Sequence, residues 1–357
     1  MPRLAVKPVR ESVISIFEKL GAPRENAEIT TDVLVASDRR GIESHGLARL
    51  GRYVGDIKKG AIDPKAEPQI LKETPGTLMV DAKAGLGQVA SVKIMKAVMQ
   101  KAKKQGIASA VIRNSNHYGI AGYTAMMALK QDLIGMSVTN TAPLVVPTFG
   151  KDAVLGTNPV AIAVPAGREK PFVLDMATST VPRGKLEVYE RQQKKMPETW
   201  ATDELGHSST DPARVLKNMI ERKGGGLAPL GGPGEESAGY KGYGLAAVVE
   251  ILSGGLGLAS MLTEIYGRKD SPPDVSHFLM AIDPAAFGKL DEFKSRMDSF
   301  IRMLKDAPKA EGEERIWIAG EKEWEAEERN KDEIDLDEPT LNKIREIGAD
   351  LGVSIAF

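Results

Sequence analysis

Two of the four histidines lie in short runs of small and polar residues, outside any apolar stripe. The first, His45, belongs to the run Glu-Ser-His-Gly at residues 43–46 and is followed by Arg49. The second, His117, belongs to the run Asn-Ser-Asn-His-Tyr-Gly at residues 114–119, directly after an apolar segment. Histidine is the side chain whose ordinary pKa lets it exchange protons near neutral pH. These settings predict acid–base chemistry, with an arginine nearby to bind an anion.

The spacing of His45 and Arg49 suits the binding of one substrate group. If residues 44–49 begin a helix, both side chains lie on one face, where a carboxylate can meet both. A structural alternative is that Ser44 caps a helix and that Arg49 is solvated. His117 follows the end of a predicted strand, which is the edge where α/β proteins place ligands.

The composition is that of an ordinary globular protein, and the length of the chain predicts two lobes. At 357 residues the chain exceeds the usual size of one hydrophobic core. Its formal net charge of −1 argues against binding to nucleic acid or to a membrane surface, because both require a basic surface. The absence of cysteine excludes disulfides, thiolate nucleophiles and cysteine metal sites. Without a secretory signal pattern or a long apolar span, the sequence predicts a cytoplasmic protein.

The periodicity of apolar residues predicts an α/β core with helical additions at both ends. The first 60 residues are predicted to be helical, and the order of residues 77–82, 89–104 and 107–112 predicts a βαβ unit that ends just before His117. Further strands are predicted at residues 134–139, 161–164, 172–174 and 316–318. Further helices are predicted at residues 123–130, 245–256 and 291–305, after Asp211, and in a last helix ending near Leu351. Residues 267–273 are predicted to form a loop.

The run Gly-Leu-Gly-Gln-Val-Ala at residues 85–90 matches the dinucleotide-binding pattern G-x-G-x-x-A between a strand and a helix. In a true fingerprint the glycines form the tight turn that leaves the strand, and an acidic residue about 20 positions later binds the ribose. Here Lys83 and Ala84 lengthen the turn, and the second strand ends in Arg113 and Asn114 without an acid. An ordinary helix start is therefore favoured over a Rossmann site.

Several further segments have a functional and a structural interpretation. Asp175 follows a predicted strand, where it can cap the next helix or accept hydrogen bonds from a ribose. The glycine-rich residues 224–244, with Lys241, can approach a phosphate through backbone N–H groups or form a surface loop. His207 is predicted at the surface, and His277 in the core or at a subunit contact. The sequence shows neither metal-ligand spacing nor a nucleophile elbow, which disfavours hydrolytic mechanisms.

Seven short runs, taken in order, resemble the type-2 malate/L-lactate dehydrogenase family, a group of NAD(P)-dependent oxidoreductases unrelated to the Rossmann-type dehydrogenases. The runs are residues 43–46, 114–119, 156–159 (Gly-Thr-Asn-Pro), 174–179 (Leu-Asp-Met-Ala-Thr-Ser), 184–189 (Gly-Lys-Leu-Glu-Val-Tyr), 239–244 and 320–322 (Gly-Glu-Lys). The resemblance extends from about Val9 to Val353. It implies a non-Rossmann α/β fold with a central sheet, and a homodimer in which the partner subunit completes the cofactor cleft.

The resemblance also implies a role for each matching residue. His117 is the acid–base residue and lines the nicotinamide site with Tyr118 and Gly119. Ser44 and His45 form a pair that relays protons. The implied substrate contacts are Arg49, which holds the carboxylate, and Thr157. The implied cofactor contacts are Thr141, Asp175, Met176, Ala177, Gly320, Glu321 and Lys322.

Lys185 separates two branches of the family. Imine-reducing relatives that act on cyclic amino acids carry an aspartate at this position, so the lysine disfavours an imine substrate. As a second cation in addition to Arg49, Lys185 joins the catalytic set and favours a dicarboxylate. The expected reaction is the NAD- or NADP-dependent interconversion of a 2-hydroxy acid and its 2-keto acid, with (S)-malate and oxaloacetate as the leading pair. Lactate, sulfolactate or another 2-hydroxy acid, and a non-catalytic NAD(P)-binding protein, are the alternatives.

The assignment of the proton carrier stays open between the two histidines. His117 is the first choice and His45 the second, linked through Ser44. The expected domains are residues 1–75 with 306–357, forming a helical, substrate-side domain, and residues 76–305, forming the cofactor-binding α/β domain. Neither a metal nor a nucleic-acid or membrane partner is expected.

Overall fold

The computed structural model describes residues 2–267 and 272–357, in which helices and strands alternate along most of the chain. The helices are α1 (Val6–Lys19), α2 (Arg24–Arg39), α3 (Leu50–Lys58), α4 (Gly87–Gln105), α5 (Ala121–Met126), α6 (Arg183–Arg191), α7 (Pro212–Glu221), α8 (Gly239–Glu250), α9 (Leu290–Lys305), α10 (Glu321–Arg329) and α11 (Glu338–Leu351). Two short 3-10 turns, Glu43–His45 and Leu47–Arg49, precede α3, and a π-helical turn, Ile251–Gly255, continues α8.

The strands form one large sheet and two small ones. They are β1 (Arg3–Ala5), β2 (Gln69–Glu73), β3 (Thr77–Asp81), β4 (Ile107–Ser115), β5 (Ile134–Thr139), β6 (Val160–Val164), β7 (Phe172–Met176), β8 (Ala201–Thr202), β9 (Gly226–Leu227), β10 (Val275–Ile282) and β11 (Glu333–Asp335). Within the described residues, the large sheet has seven strands in the order β2-β3-β4-β10-β5-β6-β7. The small sheets pair β1 with β11 and β8 with β9, both antiparallel.

The predicted βαβ unit is confirmed. Strands β3 and β4 are parallel, with Thr77 opposite Ser109 and Asp81 opposite Arg113. The connecting helix α4 buries its apolar side in the same cluster as these strands, because Val80, Met95 and Ile112 are all fully enclosed there. This packing fixes the end of β4, and the chain that leaves it carries His117.

By compactness the chain divides into two units. The first comprises Met1–Ser137, Ala161–Asp175 and Leu279–Phe357, and the second comprises Val138–Val160 and Met176–Phe278. The first unit contains the cluster around α1, α2, α3 and α11, the cluster around α4, and a smaller one with Tyr118. The second contains a cluster that includes Leu186 and Val215. The sequence-based division into a substrate-side and a cofactor-side domain is one of role, and it stays a prediction.

Most predicted elements are present, and two predictions are wrong in detail. The helix expected at residues 245–256 begins earlier, at Gly239, because the glycines of this run pack against the backbone of residues 230–232 instead of forming a loop. Residues 316–318 form no strand, since the chain turns into α10 immediately afterwards through Gly320, whose φ is +88°. The helix start at Asp211 is confirmed, because its carboxylate accepts the Arg214 N–H at 3.1 Å. The loop predicted at residues 267–273 lies mostly outside the described residues.

Candidate active site

The two 3-10 turns between α2 and α3 carry Ser44, His45 and Arg49, and residues 43–49 are called the 43–49 turn below. Residues 44–49 do not begin the α-helix that the sequence allowed, because they form these turns and α3 starts at Leu50. The turn is tied to the last residues of α2, where the buried Asp38 carboxylate accepts the Leu47 N–H at 2.8 Å. Within it, the Arg49 Nε donates to the Ser44 carbonyl at 2.6 Å. The predicted proximity of Ser44, His45 and Arg49 therefore arises from a tight turn.

His45 and His117 come together although 71 positions separate them in the chain, since their ring centroids are 5.5 Å apart with an interplanar angle of 26°. Ser44 Oγ lies 2.9 Å from His45 Nδ1, within hydrogen-bond distance. This contact matches the serine–histidine pair that the sequence predicted. The first compact unit thus contains a stacked pair of imidazoles with a serine hydroxyl at one end.

Tyr53 supplies a contact that the sequence motifs do not predict. Its hydroxyl lies 2.5 Å from His117 Nδ1, and the Gly119 N–H approaches the same nitrogen at 3.4 Å. Tyr53 belongs to α3 and is fully buried, because it packs in the cluster around α1, α2 and α11. The sequence contains one indication of this role, since Tyr53 follows Arg49 by about one helical turn and so lies on the same side of the chain. That spacing alone does not distinguish a core tyrosine from a site residue.

Because Gly87 has no side chain, the backbone of residues 116–117 can lie close to the start of α4. A Cβ atom at this position would lie 2.2 Å from the Asn116 carbonyl oxygen and 2.8 Å from that of His117. Asn116 also donates its side-chain N–H groups to the carbonyls of Ala84 and Gly85, both at 3.0 Å. Gly87 of the apparent G-x-G-x-x-A pattern therefore allows close packing against the backbone of Asn116 and His117, and α4 begins at this residue, in agreement with an ordinary helix start.

Two titratable groups, His45 in the 43–49 turn and Asp38 near the end of α2, have strongly shifted pKa values. Removal from water lowers the pKa of His45 to about 4, and repulsion from Arg49 and Arg52 acts in the same direction. His45 is consequently neutral near neutral pH. Burial raises the pKa of Asp38 to about 8, against the opposing effect of the Leu47 N–H, and nearby Glu43 and Asp337 add repulsion.

A second feature of the first unit is a pocket of about 280 Å³, at the lower end of the range for small-molecule sites. Its wall combines an aromatic ring, two carboxylates and two cations, namely Trp317, Asp175, Glu323, Arg40 and Lys322. The Asp175 carboxylate accepts the Gly122 N–H at 2.8 Å, so this side chain is held by the start of α5. The loss of water around the carboxylate raises the pKa of Asp175 to about 6, although the residue as a whole is exposed.

The predicted segment Gly320, Glu321 and Lys322 lies at this pocket, with Gly320 and Lys322 in its wall. Glu321 has a different environment, because its carboxylate pairs with Lys305 at 2.9 Å and Arg315 at 2.8 Å. Burial opposes ionisation, but these cations and the Ile318 N–H keep the pKa of Glu321 below its usual value. Lys322 Nζ lies 5.0 Å from the centre of the Trp317 ring, close enough for a cation–π contact.

Tyr118 and Gly119 follow His117 in the first unit. The Tyr118 side chain is buried and its hydroxyl lies 2.9 Å from Ser137 Oγ. Burial raises the pKa of this phenol above its usual value. Of the other two histidines, His207 is exposed, and His277 is fully buried with Nδ1 2.8 Å from Thr139 Oγ1. The surface and core predictions for these two are confirmed.

The remaining predicted residues belong to the second unit. Thr141 and Thr157 are neighbours, because the Thr157 N–H donates to Thr141 Oγ1 at 2.9 Å. Met176 ends β7, and Ala177 follows it. Lys185 lies on α6, where its Nζ is 5.8 Å from the centre of the Tyr189 ring. The roles of these residues stay predictions.

Across the described ranges, no group of three or more histidine or acidic side chains is arranged to hold a metal ion. The same residues include no helix that is long and apolar enough to cross a membrane.

The stacked imidazoles, the adjoining arginine and the polar pocket all belong to one α/β unit, and groups of this kind are typical of acid–base enzymes. The chain belongs to the malate/L-lactate dehydrogenase family, whose family model matches residues 4–345. Members of this family are oxidoreductases that act on CH–OH groups. The resemblance seen in the sequence motifs is thereby confirmed.

The comparisons with individual proteins agree with this membership. The chain is 45% identical to the malate dehydrogenase of Pyrococcus abyssi over 342 residues, which are 96% of this chain and 92% of that protein. It is 39% identical to the L-sulfolactate dehydrogenase of Methanocaldococcus jannaschii over 99% of this chain and 98% of the relative. The crystal structure of malate dehydrogenase from Entamoeba histolytica superposes with a TM-score of 0.94 at 37% identity, covering 100% of this chain and 99% of that one. The predicted fold class is confirmed.

Proposed function

We propose that the protein is an NAD(P)-dependent dehydrogenase that interconverts (S)-malate and oxaloacetate. The observation that carries this proposal is the contact set of His117, which stacks on His45 and bonds to Tyr53 in the unit that also holds Arg49. A bound nicotinamide supplies the hydride acceptor or donor for C2 of the acid. The protein must then supply a proton carrier and an anchor for the carboxylate.

His117 is the proton carrier in this proposal. Its Nδ1 is engaged by the Tyr53 hydroxyl at 2.5 Å, so we assign the exchange with the substrate oxygen to Nε2. For Nε2 to exchange a proton, Nδ1 must carry a hydrogen in both the neutral and the protonated ring, so the Tyr53 hydroxyl accepts from Nδ1–H before and after the transfer. Tyr53 can therefore hold the ring in the required tautomer and in one orientation, and correct orientation lowers the barrier.

His45 is neutral in this arrangement, which supports its placement as the secondary histidine. Its pKa of about 4 means that it carries no charge near neutral pH, so a protonated His117 is not repelled by a second imidazolium at 5.5 Å. Ser44, at 2.9 Å from His45 Nδ1, completes the proposed relay. Arg49 is the carboxylate anchor, because its guanidinium presents paired N–H donors that match a carboxylate.

The pocket at Asp175 fits the adenosine end of the cofactor. Trp317 offers an aromatic face for the base, and the Asp175 carboxylate is an acceptor for ribose hydroxyls. Asp175 and Glu323 place two carboxylates in the wall, while Arg40 is already paired with Glu327 at 2.7 Å. This charge distribution favours NAD over NADP, whose additional phosphate would meet the carboxylates. Gly320 and Lys322 would complete the wall, as the family resemblance implies.

The second unit supports the expected homodimer. The outer arc of α8 and its π-helical extension exposes Tyr240, Tyr243, Val248 and Ile251 to solvent. Contiguous exposed apolar surface of this kind marks an interaction site, and the family resemblance implies a second copy of the chain as the occupant. Light scattering of the wild type and of Ile251→Lys tests this directly, because the charge should convert a dimer to a monomer. Action in the cytoplasm likewise stays a prediction.

The function is tested by rates with oxaloacetate, pyruvate and 3-sulfopyruvate, each with NADH and with NADPH. We expect oxaloacetate and NADH to give the highest kcat/KM, and His117→Ala to lower it by about 10²–10⁴-fold. His207→Ala is the matched control, since His207 is an exposed histidine outside the site. Full turnover by His117→Ala would refute the assignment of the proton carrier.

The same substrate panel separates the alternatives. A preference for 3-sulfopyruvate would place the chain with relatives such as the L-sulfolactate dehydrogenase of Methanocaldococcus jannaschii, which is 39% identical. Binding of NADH without oxidation by any 2-keto acid would favour a non-catalytic NAD(P)-binding protein.

A further inference from the structure

The second unit contains a buried acid that neither the sequence motifs nor the proposed mechanism uses. Glu250, at the end of α8, is 4% exposed. In the part of the chain that the structure describes, no cation pairs with its carboxylate. Instead the carboxylate accepts three N–H groups, from Asn140 Nδ2 at 3.2 Å, Asn158 Nδ2 at 3.0 Å and the Leu262 backbone at 2.9 Å. Buried polar groups need hydrogen-bond partners to replace water, and these three N–H groups provide them.

The two asparagines carry this contact onward to the backbone. Asn158 Oδ1 accepts the Thr141 N–H at 3.1 Å, and Asn140 Oδ1 accepts the Ser276 N–H at 2.8 Å. A carboxylate can only accept hydrogen bonds, whereas an amide has one donating and one accepting end. Glu250 therefore forces both asparagines to direct their NH₂ groups toward it and their carbonyl oxygens toward the backbone.

This orientation of Asn158 fixes the positions of Thr141 and Thr157. The Thr157 N–H donates to Thr141 Oγ1 at 2.9 Å, and the two hydroxyl oxygens are 3.4 Å apart. Gly156 leaves room for the arrangement, since a Cβ there would lie 2.3 Å from both Asn158 Oδ1 and Thr141 Oγ1. With Thr141 anchored through Asn158, both threonines are held in one geometry.

We propose that Glu250 is a positioning residue for the dehydrogenase reaction, because it sets the polarity of Asn158 and thereby places Thr141 and Thr157. This inference rests on the proposed function and on the contacts that the family resemblance implies, namely Thr141 with the cofactor and Thr157 with the substrate. Glu250 acts through Asn158 and does not touch the reacting atoms.

The isosteric variant Glu250→Gln gives a sharp test. A glutamine can direct its oxygen toward Asn140 and Leu262, but its NH₂ group then faces the NH₂ group of Asn158. If Asn158 flips to avoid this, its NH₂ group faces the Thr141 N–H. We expect kcat/KM for oxaloacetate to fall by at least about tenfold, which corresponds to about 1.4 kcal/mol of transition-state stabilisation. Glu236→Gln, the same change at an exposed glutamate of the second unit, is the control.

The compensating variant distinguishes polarity from mere packing. In Glu250→Gln/Asn158→Asp the new carboxylate accepts from the glutamine NH₂ and from the Thr141 N–H, so the original pattern returns with donor and acceptor exchanged. The bond from Asn158 Nδ2 to the Ala246 carbonyl, 3.1 Å long in the wild type, is lost, so recovery is expected to be partial. We expect the double variant to exceed both Glu250→Gln and Asn158→Asp in kcat/KM, measured well below the unfolding temperature of all three.

The outcomes separate the two hypotheses. An inactive wild type with every 2-keto acid would refute the proposed function. Wild-type activity together with an unchanged Glu250→Gln variant would overturn the positioning role alone. A double variant whose kcat/KM does not exceed that of both single variants would also overturn it.

Discussion

Substitution of Gly87 by alanine tests whether backbone packing beneath His117 controls the site. Gly87 is the first residue of α4, and alanine is intrinsically favoured over glycine in a helix by at most about 1 kcal/mol. Against this gain, the new Cβ would lie 2.2 Å from the Asn116 carbonyl oxygen and 2.8 Å from that of His117. Both contacts are with backbone, so no side-chain rotation relieves them.

The steric effect should dominate. To restore ordinary van der Waals separation, residues 116–117 must move by about 1 Å, and a displacement of that size at a catalytic group costs about 10²-fold in rate. Overpacking of this kind costs about 1–3 kcal/mol, so the net loss in unfolding free energy should be about 1–2 kcal/mol. Rates of NADH oxidation with oxaloacetate and thermal unfolding measure the two quantities.

Gly55→Ala is the matched control for this substitution. Gly55 lies in α3 of the same unit, and a Cβ there would meet no atom within 4 Å. We expect this variant to be slightly more stable than the wild type and fully active. If Gly87→Ala matches Gly55→Ala in both rate and unfolding temperature, Gly87 has no packing role beneath His117. If Gly87→Ala instead lowers only the affinity for NADH and leaves kcat unchanged, the result would favour the interpretation of residues 85–90 as a dinucleotide-binding site.

Three further perturbations probe the site. Tyr53→Phe removes the hydroxyl 2.5 Å from His117 Nδ1 and should lower kcat/KM by about 5–30-fold, the equivalent of about 1–2 kcal/mol; an unchanged rate would exclude Tyr53 from orienting the ring. His45 has a pKa of about 4 when folded, below its ordinary 6.5, so the unfolded state binds more protons in this interval and stability rises with pH. Between pH 4 and 6.5 the unfolding free energy of the wild type should rise by about 1–3 kcal/mol more than that of His45→Gln. Parallel plots of unfolding free energy against pH for the two proteins would contradict the lowered pKa of His45. Asp175→Asn should raise the KM for NADH by about tenfold and lower the ratio of kcat/KM with NADH to kcat/KM with NADPH. If this ratio is unchanged, Asp175 does not contribute to the choice between the two cofactors.

The sequence predicted the βαβ unit and most other elements because their signals are local. The apolar periodicity of residues 107–112 and the N-cap at Asp211 each depend on neighbours within one or two turns. The prediction was wrong where glycines allow close backbone packing. The sequence left residues 224–244 open between a surface loop and a phosphate contact and predicted the helix from residue 245, yet Gly239 and Gly242 are helical, because their lack of a side chain lets α8 approach the backbone of residues 230–232.

The candidate site was predicted in part. Ser44, His45 and Arg49 lie within six residues, so their proximity follows from chain continuity. The stacking of His45 on His117 and the contact with Tyr53 do not, because they depend on where the fold places the 43–49 turn and α3 relative to the segment that follows β4. Asp38 and Glu250 escaped notice for a related reason. A single acid in a helix has no distinctive spacing, and only the folded chain shows that it is buried.

By itself, the sequence determined the chemistry available and the family, because residue types and short motifs are properties of the chain. It contained the two histidines, the arginine and the ordered runs that resemble malate/L-lactate dehydrogenases. Only the tertiary structure decided which groups meet and how water is excluded from them. The low pKa of His45, the Tyr53 contact to His117 and the polarity imposed by Glu250 all arise from burial and from contacts between distant segments. Desolvation and hydrogen-bond direction depend on the surrounding atoms in space, and a linear sequence does not specify those surroundings.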